Sequence, residues 1–204
     1  MPRARRSIAI QTRIIEAAAS AFARDGYRDT SVRAVCAAAR VNIAAVNYHF
    51  GGKARLFRAV LEYAATRGGV VRAVSRMNHE PGETLREQVT VMMGAIRGDG
   101  PASWLWRIAA REAAGPAART ALIRDALAPD LAALHDGIAR TRARTAHADE
   151  IERSLTALLA ICLHWGHTRR LISSDPSQDA RDGEEPVLAA ALLVLSANSS
   201  HARQ

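Results

Sequence analysis

The sequence predicts an all-α fold in two parts, an N-terminal three-helix helix-turn-helix domain followed by a larger helical domain. Apolar residues recur at helical spacing through most of the chain, and no segment keeps the two-residue period of a strand over a useful length. Charge is divided unequally: residues 1–67 hold 12 Lys and Arg against 4 Asp and Glu, whereas the remaining 16 basic and 16 acidic residues cancel. This division is typical of a nucleic-acid-binding module joined to a neutral domain. The alternative is a set of solvated helix faces rich in arginine.

The first two helices are predicted from apolar stripes and from the residues that bound them. The stripe of the first helix consists of Ile14, Ile15, Ala18 and Phe22. This helix is expected to stop at Asp25-Gly26, because glycine readily adopts the left-handed conformation that ends a helix. Thr30 or Ser31 then caps a second helix. Its inward face is formed by Val32, Val35 and Ala39. A basic arm before the first helix either enters a minor groove or is disordered, and it consists of Arg3, Arg5 and Arg6.

The segment 41–53 predicts a short third helix whose outward side chains are suited to contacting a binding partner. The joint 40–42 leads into this helix, with Asn42 as its N-cap. The inward positions at helical spacing are Val41, Val46 and Phe50. Side chains of the kind that bind phosphate occupy other positions, at Asn47, Tyr48, His49 and Lys53. Two helices joined by a short turn form the helix-turn-helix layout.

Eight residues of the first sixty carry a pattern of fixed spacing: Phe22, Gly26, Thr30, Tyr48, His49, Phe50, Lys53 and Leu56. Through them, residues from about 8 to 60 resemble the N-terminal domain of TetR-family transcriptional regulators. The run 42–48 is especially similar to the CecR-type subgroup. One departure is Arg40, because the family usually has glycine in that turn. If the turn needs a left-handed residue, Arg40 costs roughly 1 kcal/mol. A basic residue there is alternatively placed to contact a phosphate.

Residue chemistry and the resemblance together predict the DNA contacts. Arg33 is the best candidate for reading a base, because a guanidinium group can bind guanine in a bidentate manner and the family pattern often has a base-contacting residue there. Further base contacts, one through an amide and the others through apolar groups, are expected from Asn47, Ile43, Ala44 and Ala45. Phosphate clamps are expected at Thr30, Ser31, Tyr48, His49 and Lys53. The alternatives are that Tyr48 is a partly buried hydrophobic residue and that His49 only caps its helix.

Residues 1–53 are thus predicted to form the DNA-binding domain, and residues 54–204 a helical regulatory and dimerisation domain. A connector helix follows Lys53, and Pro129 is expected to divide the stretch from Pro116 to about Arg142 into two helical pieces. The long apolar face between Ile151 and Ile172 and the apolar run 187–195 predict a homodimer, because a lone monomer would expose them. The resemblance implies a four-helix bundle between two copies. The alternative is that the last helix is the buried central helix of one monomer.

A small-molecule effector is expected in the second domain. The candidate pocket residues combine aromatic and polar groups, and they are Trp104, Trp106, Arg107, Arg111, His135, His164 and Trp165. For each of them, ordinary core packing is the alternative. His164 and His167 are three residues apart on a helix, but no nearby carboxylate or cysteine completes a metal site. We therefore expect neither a metal nor another cofactor.

The expected function is that of a dimeric, sequence-specific regulator of transcription, a repressor that a small molecule releases from a palindromic double-stranded DNA operator. The alternative is a nucleoid-type protein that binds DNA without sequence preference and without a ligand. An enzyme is not expected, because the sequence has no glycine-rich phosphate loop and no nucleophile elbow. Cys36 and Cys162 are expected to be reduced core thiols. The apolar runs are too short to span a membrane, so a cytoplasmic protein without a membrane partner is expected.

Overall fold

The computed structural model describes residues 2–68, 71, 81–141, 147–172 and 189. Within these residues the regular structure is helical, as the sequence predicted. The helices are α1 (Pro2–Asp29), α2 (Val32–Ala38), α3 (Ile43–Phe50), α4 (Lys53–Gly68), α5 (Pro81–Arg97), α6 (Trp104–Glu112), α7 (Ala117–Thr141) and α8 (Ala148–Ile172). None of the helices in the described part of the chain is both long and apolar enough to cross a membrane.

The described residues fall into two compact units. Residues up to 69 and residues 95–127 form the first unit, and residues 70–94 and 128–204 contribute to the second. The first unit therefore contains the three N-terminal helices together with α4, α6 and the first part of α7. The functional division at residue 53 stays a prediction, and it is a different division from this one.

The core of the first unit is built around α1, which packs against α2, α4 and α6. Phe22 lies on this helix, 1% exposed, and its ring meets the ring of Phe57 edge to face at 5.0 Å between centroids. Tyr27 lies against both, at 5.9 Å from Phe22 and 5.0 Å from Phe57. Burying aromatic rings of this size contributes several kcal/mol by removing apolar surface from water, at about 25 cal/mol per Å². Three members of the predicted stripe, Ile14, Ala18 and Phe22, are thus confirmed as core, whereas Ile15 is half-buried.

The start of α1 differs from the sequence prediction, whereas the interruption near its end agrees with it. The helix begins at Pro2, so the expectation of a basic arm preceding it is wrong. Proline is favourable in a first turn, because its missing N–H would have no helical acceptor there. Gly26 has φ 80° and ψ 172°, which bends the helix, and helical structure resumes up to Asp29. The positive φ of Gly26 was predicted correctly, and helical geometry is interrupted there as expected, although a short helical segment follows it up to Asp29.

In the second unit, the described core contains apolar residues from three helices. The buried residues there include Leu85, Val89 and Met92 of α5, Leu134 and Ile138 of α7, and Leu158 of α8. Gln88 is also buried, and its side-chain amide donates to the carbonyl oxygen of Ala133 at 3.0 Å. The predicted apolar run 187–195 lies outside the described residues, apart from the backbone of Ala189. The side chains of Trp165 and Ile172 also lie outside them. Ile151, Leu158 and Cys162 of the predicted dimer face are buried within the single chain, so the expectation that a monomer would expose them is wrong, and the dimer remains a prediction.

α7 is one continuous helix with Pro129 inside it, so the expected division of this stretch into two pieces is wrong. Proline in a helix removes one hydrogen bond and costs about 3 kcal/mol. Buried Leu127 and Leu134 lie on either side of Pro129, and burial of such side chains contributes about 1.5–3 kcal/mol each. That burial is large enough to offset the cost of the proline.

The two cysteines are free and buried, as expected. Cys36 lies in α2 and Cys162 in α8. Burial raises the pKa of the Cys36 thiol and raises that of Cys162 to about 12, because an apolar environment disfavours the thiolate. Burial therefore favours the protonated thiol at both positions.

Candidate nucleic-acid interface

The turn between α2 and α3 contains a left-handed arginine. Arg40 has φ 52°. Its N–H donates to the carbonyl oxygen of Ala37 at 3.1 Å, and the N–H of Val41 donates to that of Cys36 at 3.0 Å. This pair of bonds is the Schellman ending of a helix, in which the left-handed position is usually glycine. Arg40 therefore adopts the left-handed conformation for which the sequence analysis expected a steric cost.

Arg13 of α1 holds this turn from the outside. Its guanidinium group donates to the carbonyl oxygen of Ala39 through two nitrogens, with Nε at 3.2 Å, and to that of Arg40 at 3.1 Å. Carbonyl groups at the end of a helix lack helical donors and carry partial negative charge, so a cation stabilises them. Arg13 was not predicted from the sequence, because nothing in the pattern of a helix indicates a partner 26 residues away.

The start of α3 is fixed by Asn42, as predicted. Its side-chain oxygen accepts a hydrogen bond from the N–H of Ala44 at 3.0 Å. Val46 is fully buried, and Val41 and Phe50 are half-buried, which confirms the inward face of the helix. The helix ends at Gly51, which has φ 71°. α3 is thus short, capped at both ends and anchored by one side.

The opposite face of α3 presents unusual side chains to solvent. Tyr48 is 85% exposed and Ile43 is 44% exposed, which is high for large apolar groups. Ala44 and Asn47 are exposed beside them, and Ala45 is half-buried. The exposure of Tyr48 rules out the alternative of a partly buried hydrophobic residue. This face offers one aromatic ring with a hydroxyl, one amide and several apolar groups to a partner.

The candidate DNA-binding residues at the start of α2 differ in their exposure to solvent. Arg33 and Ser31 are exposed, and Ser31 is the N-cap residue although its side chain makes no capping hydrogen bond. Thr30 is 4% exposed, and its hydroxyl donates to the carbonyl oxygen of Gly26 at 2.7 Å. The Thr30 side chain therefore stabilises the bend in α1, and its geometry does not favour the predicted phosphate contact. Ser31 is the better candidate for that contact.

His49 is tied to α1 through one ring nitrogen. The side-chain nitrogen of Gln11 lies 3.3 Å from His49 Nδ1. When the Gln11 amide donates to Nδ1, the imidazole carries its proton on Nε2. The ring then has an N–H available as a donor to an oxygen acceptor.

Lys53 is anchored at the junction of α1 and α4. Its ammonium group donates to the carbonyl oxygen of Arg28 at 3.1 Å and lies 4.7 Å from the centre of the Tyr27 ring. Burial lowers the pKa of Lys53, and the nearby charge of Asp29 opposes that effect. An ammonium group has three donors, so this anchoring leaves capacity for a phosphate.

The predicted effector residues are distributed over both compact units. Trp104 is buried and its ring stacks on that of Tyr63 at 6.3 Å between centroids. Arg107 donates to the carbonyl oxygen of Gly98 at 3.0 Å and pairs with Asp99, whereas Arg111 is exposed. Trp106 is fully buried. These residues belong to the first unit, and their role in ligand binding stays a prediction.

The remaining effector candidates belong to the second unit. His135 is partly exposed, and its Nδ1 lies 3.7 Å from a carboxylate oxygen of Asp136. His164 is exposed, and its Nδ1 lies 3.2 Å from the carbonyl oxygen of Ala160. The side chains of Trp165 and His167 lie outside the described residues. Effector binding by these residues also stays a prediction.

The fold defines the class as a helix-turn-helix protein with a second helical domain, and comparison with known families makes the assignment more particular. Residues 14–60 match the family of bacterial regulatory proteins called tetR. Residues 81–197 match the C-terminal domain of the HTH-type transcriptional dual regulator CecR. The chain belongs to the TetR family, with a C-terminal domain of the CecR type.

Solved structures agree with this fold. HlyIIR, a hemolysin II transcriptional regulator, is 22% identical over 90% of this chain and 97% of its own, with a TM-score of 0.65. A TetR-like transcriptional regulator from Rhodococcus sp. RHA1 is 18% identical over 96% of this chain and 97% of its own, with a TM-score of 0.60. A third structure, described by its role in control of antibiotic production by bacterial hormones, is 22% identical over 90% and 96%, with a TM-score of 0.62. None of the curated proteins matches the chain.

Proposed function

We propose that this protein is a dimeric, sequence-specific transcriptional repressor that a small molecule releases from a palindromic DNA operator. The outward face of α3 is the observation that carries the proposal. Tyr48 at 85% exposure and Ile43 at 44% are placed on a capped helix within the basic third of the chain. A helix of this kind fits the major groove of DNA, which is wide enough to admit it.

The proposed contacts divide into two kinds. Arg33 binds a guanine edge, and the side chains on the outward face of α3 contact bases through the amide of Asn47 and the apolar groups of Ile43 and Ala44. Ala45 is small enough to let the helix approach closely. Phosphates are bound by donors at the rim, which are Ser31, Tyr48, His49 Nε2 and Lys53. The first kind determines sequence, whereas the second determines register and salt dependence.

Dimerisation determines the form of the operator. Two copies related by a twofold axis present two α3 helices, and these fit successive major grooves about 34 Å apart. The operator is then a palindrome. The CecR-type match over residues 81–197 supports a regulatory C-terminal domain for this arrangement. The protein acts in the cytoplasm, where it needs no cofactor and performs no catalysis.

Release by a ligand follows from linkage. A small molecule lowers operator affinity only as far as it prefers the conformation that does not bind DNA, and operator DNA lowers ligand affinity by the same factor. One protein of similar structure is described in terms of bacterial hormones that control antibiotic production, which supports a small-molecule effector here by analogy. The proposed ligand contacts are Trp104, Arg107 and Arg111 within the first unit, and His135, His164 and Trp165 within the second. Ligand affinity that is equal with and without operator would refute the switch.

The test of DNA recognition begins with selection from a pool of randomised duplexes. We expect a palindromic sequence to be enriched. Fluorescence anisotropy then compares the enriched duplex with a scrambled one, and we expect a preference of at least about a thousandfold that weakens as salt rises. Equal binding to both duplexes would support the nucleoid-type alternative, and absence of binding would refute DNA recognition.

Two variants that each remove one arginine show whether DNA recognition depends on the proposed contact surface. Arg33→Ala removes the proposed guanine contact, and we expect it to weaken operator binding by about 1–3 kcal/mol and to relax the sequence preference at one position of each half-site. Arg86→Ala removes one charge from an exposed position of α5. We expect it to leave the preference unchanged. Equal effects of the two variants would show that Arg33 acts only through its charge.

A further inference from the structure

Glu112 is a buried carboxylate at the end of α6 that the proposed DNA contacts do not use. It is 7% exposed. Oε1 accepts a hydrogen bond from the backbone N–H of Tyr27 at 2.6 Å, and Oε2 pairs with Nε of Arg119 at 2.6 Å. A buried carboxylate is costly unless it is paired. Here Oε1 accepts a hydrogen bond, and Oε2 forms an ion pair in which Arg119 Nε makes no hydrogen bond within the described part of the chain.

The partner in α1 lies at the bend of that helix. Tyr27 directly follows Gly26, the residue whose φ of 80° interrupts the helical geometry. A Cβ atom placed on Gly26 would lie 3.1 Å from Oε1 of Glu112, so the absence of a side chain allows this close approach. The carboxylate thus binds the backbone at the point where α1 changes direction.

The ring of Tyr27 extends this junction to two further helices. The guanidinium group of Arg119 in α7 lies 4.5 Å from the ring centre, and the ammonium group of Lys53 in α4 lies 4.7 Å from it. Both distances are within the range of a cation–π interaction. One residue therefore connects α1, α4, α6 and α7, and α2 begins only five residues after it, at Val32.

We infer that Glu112 is a positioning residue for DNA binding: together with Arg119, it fixes the bend at Gly26-Tyr27 and so holds α2 and α3 in the arrangement that fits the operator. This inference rests on the proposed function. Arg119, Glu112 and Tyr27 all belong to the first compact unit. Within that unit, a displacement of Arg119 is expected to act on α2 and α3 through Glu112 and Tyr27.

Three variants separate positioning from general stability. Glu112→Ala removes both interactions. Glu112→Gln keeps an oxygen acceptor for the Tyr27 N–H but loses the charge that faces Arg119. Glu152→Ala is the matched control, because Glu152 is an exposed carboxylate on α8. Each variant is tested as the full-length protein on the enriched duplex and on versions in which the half-sites are one base pair closer or farther apart.

If the two α3 helices of the dimer are misplaced, the preferred spacing between the half-sites changes. A loss of stability alone does not change that spacing. For Glu112→Ala we expect at least a tenfold loss of operator affinity and a loss of the preference for the original spacing, while circular dichroism shows that the helices remain. Glu112→Gln is expected to recover most of the affinity. Glu152→Ala is expected to behave as the unchanged protein.

The outcomes distinguish this inference from the proposed function. If the unchanged protein prefers no duplex, the proposed function fails. If it binds its operator specifically and Glu112→Ala binds with the same affinity and the same spacing preference, the inference is overturned and the function stands. If Glu112→Ala does not fold, Glu112→Gln and Arg119→Met are compared instead. Arg119→Met is then expected to reduce the spacing preference at least threefold, and an unchanged preference in both folded variants overturns the inference.

Discussion

Replacement of Arg40 by glycine is expected to stabilise the protein. Arg40 has φ 52°, a conformation that costs a residue with a side chain roughly 1–2 kcal/mol and glycine almost nothing. Glycine also makes the unfolded chain more flexible, which subtracts about 0.5–1 kcal/mol. The net expectation is a gain of about 0–1.5 kcal/mol, with a midpoint of about 0.75 kcal/mol. Arg13 binds only backbone carbonyl groups of this turn, so its hydrogen bonds survive the substitution.

Thermal unfolding followed by circular dichroism measures the effect. For a chain of this size, 1 kcal/mol corresponds to a change in Tm of about 2–4 °C. Arg40→Ala is the matched control, because alanine also lacks the charge but retains the steric cost of the left-handed conformation. We expect Arg40→Gly to unfold at a higher temperature than Arg40→Ala. A glycine variant no more stable than the alanine variant would refute the strain at this turn.

The same pair of variants decides whether Arg40 also contacts a phosphate. Loss of one phosphate contact reduces the slope of log affinity against log salt by about one unit, whichever residue replaces the arginine. Both variants should then show the reduced slope, although only one is stabilised. An unchanged slope in both would leave the arginine without a role in DNA binding.

Three further substitutions test single contacts. Asn42→Ala removes the N-cap of α3 and is expected to cost about 1 kcal/mol of stability, seen as a lower Tm, and an unchanged Tm would contradict the capping role. Arg13→Met removes the donors to the carbonyl groups of Ala39 and Arg40 and should cost about 1–2 kcal/mol in the same assay, whereas a smaller loss than for Asn42→Ala would show that the turn holds without it. Tyr48→Ala should weaken operator binding at least tenfold with no change in Tm, because the ring is 85% exposed, and a large fall in Tm would instead assign it to the core.

The sequence predicted those features whose causes are local. The N-cap at Asn42, the left-handed Gly26 and the buried stripe of α1 each depend on residues within a few positions of one another. The exposed face of α3 also followed from spacing, because Val46 fixes which side is buried. Local chemistry was sufficient in these cases.

Features that depend on distant partners were missed or predicted wrongly. Arg13 and Glu112 act on backbone groups 26 and 85 residues away in the chain, and no periodic pattern marks such contacts. The phosphate contact of Thr30 stays a prediction, and its hydroxyl already donates to the carbonyl oxygen of Gly26. Pro129 did not break α7, because burial on both sides outweighed the local preference of proline.

The buried cysteines give each compact unit its own chemical probe of opening. Cys36 belongs to the first unit and Cys162 to the second, and a thiol reagent reaches either of them only when the surrounding structure opens. The labelling rate of each thiol therefore measures how often its own unit opens. Operator DNA should slow labelling at Cys36 first, and a ligand held by the second unit should slow labelling at Cys162 first. After proteolytic digestion, the peptides that contain Cys36 and Cys162 would thus report the opening of each compact unit separately. A melting curve gives only the average stability of the two units.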